Sequence, residues 1–229
     1  MMSTLDPEAV ASSAADALEE ASAEEVLRWA AATFGDQLCL TSSMTDALMV
    51  HLASRVKPGI DVLFLDTGYH FAETIGTRDA VSAVYPVNVV NVEPEQTVAE
   101  QDGTYGRNLF ERDPDRCCSL RKVQPLSAAL APYAAWISGI RRDEASSRQG
   151  TRMVEWDARR GMVKVNPIAR WTQDDVDAYV AEHDVLVNPL VYDGYPSIGC
   201  APCTQQVAAG ADPRSGRWAG FSKTECGIN

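Results

Sequence analysis

The stretch QLCLTSSMTDALMVHLASRV at residues 37–56, followed closely by DVLFLD at 61–66, decides the fold. Residues 37–43 are a short apolar run that ends in small hydroxyl side chains, and the segment after them has helical spacing. Residues 61–66 are a second compact apolar run, so the stretch reads as strand, turn, helix, strand. The alternation continues outward. FAETIGTRDAVSAV at 71–84 carries a helix pattern, and PVNVVNV at 86–92 is a strand rich in β-branched Val. AAWISGI at 134–140 is a fourth strand, and MVKVNPI at 162–168 an edge or later one. Thr172 is placed to cap a helix over 173–183, with Asp174 and Asp175 in its first turn, where the helix dipole favours anions. Upstream, residues 8–33 have helix-forming composition, with Leu18, Val26, Leu27 and Trp29 as candidate packing residues. About residues 1–20 are expected to be frayed. This order predicts an α/β fold with a doubly wound, mostly parallel sheet, in one domain over 1–229.

Length and composition agree with a single core: 229 residues, 45% hydrophobic and 23% charged. No apolar run approaches the roughly 20 residues that cross a bilayer. The opening residues carry acidic and no basic side chains, unlike a secretion signal, so a cytoplasmic location is expected. A net charge of −12 argues against nucleic acid or an anionic membrane as partner. The charge is uneven. Residues 1–103 hold 4 Lys/Arg against 17 Asp/Glu, whereas residues 104–229 hold 16 against 15. The cations gather in the second half, which suits a small anionic ligand there.

That half is also loop-rich: NPLVYDGYPSIGCAPC at 188–203, AAGADPRSGRWAG at 208–220, then a tail. Residues 208–229 are expected to be mobile. Six cysteines in a reducing compartment point to metal or catalysis before disulfides. Cys200 and Cys203 form a CxxC pair on a Gly/Pro turn, and Cys117-Cys118 is a vicinal pair ahead of SLRKVQPL, read as a helix start. Two such pairs can supply four thiolates to one tetrahedral metal or one cubane cluster. Neighbouring ligands need a helical turn or kink, and a larger cluster accommodates them better than one zinc ion. Cys39, between Leu38 and Leu40, reads as a core residue. Cys226 stands apart, near the end of the tail, where a free thiol invites oxidation unless its reactivity is used.

Cys117-Cys118, Cys200-x-x-Cys203, LDTGYHF at 65–71, GADPRSGRW at 210–218 and KTECG at 223–227 together resemble assimilatory adenylyl-sulfate reductases of the sulfonucleotide reductase family. The resemblance runs from about residue 25 to the end. It implies an adenine nucleotide α-hydrolase-like fold and a 4Fe–4S cluster on Cys117, Cys118, Cys200 and Cys203. It also implies Cys226 as the nucleophile that takes the sulfonyl group from adenosine 5′-phosphosulfate and releases AMP. Thioredoxin is the implied partner that then frees sulfite and restores the thiol. A thiolate approaching this anhydride meets anionic oxygens, so cations must screen them. Lys122, Arg148, Arg214 and Arg217 match the positions where the family places its phosphosulfate contacts.

Ser42 and Ser43 occupy the turn where related ATP pyrophosphatases carry a serine–glycine–glycine loop, with Ser43, Met44 and Ala47 replacing the double glycine and later serine. Asp66, Thr67 and Gly68 follow a strand end, where open α/β sheets bind ligands, and adenosine is expected between them and the Ser42 turn. Asn229 stands where the family usually places a histidine; His51, His70 and His183 read as structural. Three rivals stay open: a 3′-phosphoadenosine 5′-phosphosulfate reductase, a non-catalytic iron–sulfur redox sensor, and a zinc-stabilised nucleotide-binding module.

Overall fold

A computed structural model describes residues 6–221 and 223–228. Its elements begin with α1 (Pro7–Ala17), α2 (Ala23–Phe34), β1 (Leu38–Thr41), α3 (Leu48–Val56), β2 (Asp61–Leu65), α4 (Ala72–Val84) and β3 (Asn88–Val92). After these come α5 (Val98–Tyr105), α6 (Leu109–Arg112), α7 (Pro114–Cys118), α8 (Gln124–Leu130), β4 (Ala135–Ile137), β5 (Val154–Asp157), β6 (Met162–Val165) and α9 (Gln173–His183).

The strands lie in one sheet of order β3-β2-β1-β4-β6-β5, parallel throughout except β5, which runs antiparallel to β6. Successive strand residues face opposite sides, and both sides are covered. Leu38, Leu40, Val62, Phe64, Ala135 and Ile137 enter the larger core, while Cys39, Leu63 and Trp136 enter the smaller one with Leu126, Leu130 and Met162. Two-sided burial is why β1 and β2 read as continuous apolar runs. The strand order reverses between β1 and its two neighbours, and the crevice at the C-terminal ends there is where such sheets bind ligands.

One expectation is corrected and two are sharpened. Residues 8–33 make two helices, because Ser22 and Glu25 form a capping box that starts α2 afresh. Fraying is replaced, from residue 7 onward, by a capped helix. Asp6 accepts a hydrogen bond from the Glu8 amide at 3.1 Å, Pro7 opens the first turn, and the buried Ala11, Ala14 and Ala15 let α1 lie close against β5. Residues 1–5 lie outside the described residues. Of the two readings of 162–168, the later strand holds and the edge does not: β6 is interior, and the edge on that side is β5, absent from the sequence reading. Thr172 caps α9 as expected, in a capping box with Asp175.

Candidate active site

The C-terminal ends of β1, β2 and β4 open into a cavity of about 1080 Å³. Its floor includes Thr41 at the end of β1 with Ser42 and Ser43 after it, Leu65 at the end of β2 with Thr67 after it, and Ser138 to Arg141 after β4. Lys122, Arg148, Arg214, Arg217 and Cys226 line the same space. Asp66 and Gly68 do not line it. Asp66 instead accepts the Gly68 amide at 3.1 Å and faces Arg78 at 3.5 Å, which shapes the turn that aims Thr67. At the Ser42 turn, Ser42 Oγ accepts the Met44 amide at 3.2 Å, and Asp46 Oδ1 accepts the Leu48 amide at 2.9 Å. A side-chain carboxylate therefore already takes a first-turn donor of α3.

The two cysteine pairs, far apart in sequence, meet beside this cavity. Asp113 caps α7 by accepting from the Arg116 amide at 2.9 Å, with Pro114 in the first turn. The helix therefore starts ahead of the vicinal pair, not at it, and Cys117 and Cys118 end α7 where it widens into a π-helical turn, Ser119–Val123. The turn or kink that neighbouring ligands need is this irregular turn, which lets adjacent side chains serve one space. Cys200 and Cys203 flank a tight turn pinned to the β2 loop, with the Ala201 amide donating to Tyr69 O at 2.7 Å and the Cys203 amide to Cys200 O at 2.9 Å. Thr67 Oγ1 lies 3.3 Å from Cys200 Sγ.

All four sulfurs border one small hollow with Tyr69, Phe110, Pro114, Arg121, Lys122 and Pro202. Burial first, and then the nearby sulfurs of Cys118, Cys200 and Cys203, push the Cys117 thiol up to about 12. Burial and the neighbouring Cys200 push Cys203 up to about 11. Among the described residues, no group of three or more His, Cys, Asp or Glu is arranged to hold a single metal ion. The donor set is all-sulfur, and the described walls are aromatic, proline and cationic. Such a set fits a soft, sulfur-ligated cluster. No cysteine is paired in a disulfide.

The 210–218 motif folds back on the CxxC turn. Gln205 N donates to Gly216 O at 2.9 Å and Trp218 N to Cys203 O at 3.0 Å. A Cβ at Gly216 would stand 2.2 Å from Gln205 O, so only glycine fits. Arg217 is thereby held half-buried over the Trp218 ring at 4.6 Å, donating through Nη1 to Ser197 Oγ and Ile198 O, both at 3.2 Å. Its Nε has no hydrogen-bond partner among the described residues. Burial lowers its pKa, and the Cys226 sulfur works against that. Lys122 is buried, but the sulfurs of Cys200, Cys226 and Cys118 overcome desolvation and raise its pKa. Lys122 and Arg217 thus share two sulfur neighbours, Cys226 and Cys200.

Arg148 and Arg214 are engaged differently. Arg148 donates through Nε and Nη2 to Glu225 at 2.8 and 2.9 Å and through Nη1 to Glu144 at 2.5 Å. Arg214 Nη2 donates to Glu225 Oε2 and to Thr224 O, both at 3.0 Å. The tail expected to be mobile therefore lies against the body in this structure. Cys39 is fully buried, as expected. His51 accepts or donates at Tyr179 OH, 2.8 Å away, and packs beside His183; neither histidine lines the cavity. His70 lines the cavity, with Nε2 2.7 Å from Leu65 O. Asn229 lies outside the described residues.

Sequence reasoning overlooked the Ser138-to-Arg141 loop, although the small Ser-Gly pair closing AAWISGI is a usable signal at a strand end. It also passed over Glu225, which stands inside the quoted KTECG motif.

A doubly wound sheet with a nucleotide-sized cavity at its reversal point places the chain among adenine nucleotide α-hydrolase-like folds. FMN adenylyltransferase from Candida glabrata, bound to FAD and pyrophosphate, shares this fold with a TM-score of 0.56 at 11% identity, covering 91% of this chain and 79% of that one. Residues 37–206 match the phosphoadenosine phosphosulfate reductase domain, and the chain belongs to that family. It is similar to the adenosine 5′-phosphosulfate reductase of Streptomyces coelicolor, 62% identical over 226 residues, with 99% of this chain and 96% of the relative covered. The Mycolicibacterium smegmatis protein of the same name is 62% identical over 212 residues, covering 93% and 90%. A crystal structure of phosphoadenylyl-sulfate reductase from Candida auris, in complex with phosphate, superposes with a TM-score of 0.72 at 30% identity over 86% of this chain and 96% of that one.

Proposed function

We propose that this chain reduces adenosine 5′-phosphosulfate to sulfite and AMP, in sulfate assimilation leading to cysteine. Cys226 is the nucleophile and thioredoxin the reductant, a pairing suited to the cytoplasm. What carries the reading is the place of Cys226: in the wall of the cavity that buried Lys122 and half-buried Arg217 also line, and separate from the four-thiol ring.

The Cys226 thiolate attacks the sulfur of the anhydride, the S–O bond to AMP breaks, and an S-sulfocysteine remains. Lys122 and Arg217 screen the repulsion between thiolate and sulfate oxygens and stabilise charge developing on the leaving phosphate. A thioredoxin thiolate then attacks Cys226 Sγ and expels sulfite. Its second thiol resolves the mixed disulfide and returns Cys226 to the thiol. The ends of β1, β2 and β4 hold the nucleoside. Cys117, Cys118, Cys200 and Cys203 would hold a 4Fe–4S cluster. When bound, it supplies structural ligation and a polarisable charge beside Lys122, with no electron transfer to substrate.

Cys226→Ser should abolish turnover yet keep the brown absorbance of the as-isolated protein, whereas Cys203→Ser should lose the colour. Retained turnover in Cys226→Ser refutes the role. The 3′-phosphorylated nucleotide is the rival substrate, favoured by the name of the matched family and of the Candida auris protein. The relatives from Streptomyces and Mycolicibacterium favour the unphosphorylated one. Comparing kcat/KM for the two nucleotides decides, with a higher value for adenosine 5′-phosphosulfate expected.

A further inference from the structure

A carboxylate next to the nucleophile is an electrostatic burden. Unpaired, Glu225 would oppose both the Cys226 thiolate and an incoming anionic nucleotide. The structure shows it paired twice. Its two oxygens take a bidentate grip from Arg148, and Oε2 also accepts from Arg214. Arg148 sits on a β4–β5 connection and Arg214 in the 210–218 motif, so the clamp ties two separate parts of the fold to the tail.

Two further holds flank it. Lys223 Nζ pairs with Asp115 and stands 5.7 Å over the Trp218 ring. On the other side, Ile228 packs on the smaller core, and its carbonyl accepts from Arg160 Nη2 at 2.9 Å. Cys226 is bracketed between these holds. Meanwhile Lys122 and Arg217 have no carboxylate partner among the described residues, and both line the cavity whose wall includes Cys226. The four cations expected to contact substrate thus divide into a pair facing the nucleophile and a pair facing its neighbour. With the tail in this place the cavity still measures about 1080 Å³, which leaves room for a nucleotide.

We propose that Glu225 is a positioning residue: clamped between Arg148 and Arg214, its carboxylate seats the tail so that Cys226 faces Lys122 and Arg217. The proposal rests on the reading of Cys226 as nucleophile. The clamp is a double-guanidinium cradle for an oxyanion, so a free oxyanion competes with Glu225 for it.

The test measures how fast Cys226 of the holoenzyme, without nucleotide, is alkylated by iodoacetamide, with the modified residue mapped by peptide mass. Glu225→Gln keeps the shape and removes the charge. It should raise the rate roughly fivefold or more, while Glu225→Asp should recover part of the wild-type protection. Inorganic sulfate, against chloride at equal ionic strength, should speed alkylation of the wild type and leave Glu225→Gln unchanged. In turnover, Glu225→Gln should lower kcat, because Glu225 acts through Cys226. A wild-type alkylation rate in Glu225→Gln, equal effects of sulfate on both proteins, or a change confined to KM would each overturn the proposal. Alkylation reports where the tail sits and needs no nucleotide. It therefore fails independently of the sulfonyl transfer that tests the nucleophile.

Discussion

Gly199 precedes the first cysteine of the CxxC turn, and its missing side chain is what lets Arg217 into its place. A Cβ there would lie 2.2 Å from Arg217 Nη2, 2.6 Å from Cζ and 3.2 Å from Nε. To reach the ordinary contact range of 3.4–4 Å, the guanidinium must retreat by more than an ångström. It is confined by the Trp218 ring at 4.6 Å and by acceptors at Ser197 and Ile198, so the retreat breaks those contacts and displaces the charge from the place it holds in the cavity wall. Losing one well-placed electrostatic donor costs about 10²–10³ in rate, and an ångström of misplacement alone costs about 10². Gly199→Ala should therefore lower the rate of S-sulfocysteine formation by about 10². Rapid-quench mass analysis of the nucleotide-mixed enzyme measures it. A double-mutant cycle supplies the control: with Arg217→Ala in place the new methyl displaces nothing, so the double mutant should match Arg217→Ala alone. Sulfonation by Gly199→Ala within a factor of about three of wild type, or losses that simply add, would refute the reasoning.

Lys122→Ala removes the other cation facing Cys226 and should slow the same step by about 10², with steady binding of AMP as its check; wild-type sulfonation would dispose of the role. Leu126 is buried at 1% exposure in the smaller core under the tail, so Leu126→Ala should cost about 2–5 kcal/mol, read from chemical denaturation. Burial works to raise the Glu225 carboxyl, but hydrogen bonding and charge from Arg148, then the charges of Arg214 and Arg217, outweigh it and hold it below its ordinary 4.5. A depressed carboxylate stabilises the docked tail fully above that ordinary value and loses its effect as pH falls through the lower one. Amide protection of residues 223–228, corrected for intrinsic exchange, should hold from neutral pH down to the ordinary carboxylate range and fall below it. Loss already near pH 6 would contradict this.

The parallel centre of the sheet was legible because β1, β2 and β4 are buried on both faces, and two-sided burial writes an unbroken apolar run. β5 was not. Its four residues are mostly half-buried, and its partner is set by a hairpin turn at 158–161 that short-range apolarity does not announce. The split between α1 and α2 was written in Ser22-x-x-Glu25, and the early start of α7 in Asp113-Pro114; both are cap signals that composition alone hides. At the site, the four ring cysteines and Cys226 could be picked out because thiols are few and their motifs distinct. That the four cations divide into two pairs could not, since Arg148 meets Glu225 across 77 residues of chain. Asp66 and Gly68 were drawn toward the ligand by their place at a strand end, whereas the fold uses them to turn the chain and aim Thr67 at Cys200.

The most direct measurement is the intact mass of the holoenzyme mixed with adenosine 5′-phosphosulfate in the absence of reductant. One sulfonate adduct should appear per chain, map to Cys226 and vanish on adding thioredoxin. An unmodified protein, or an adduct on one of the four ring cysteines, would contradict the account.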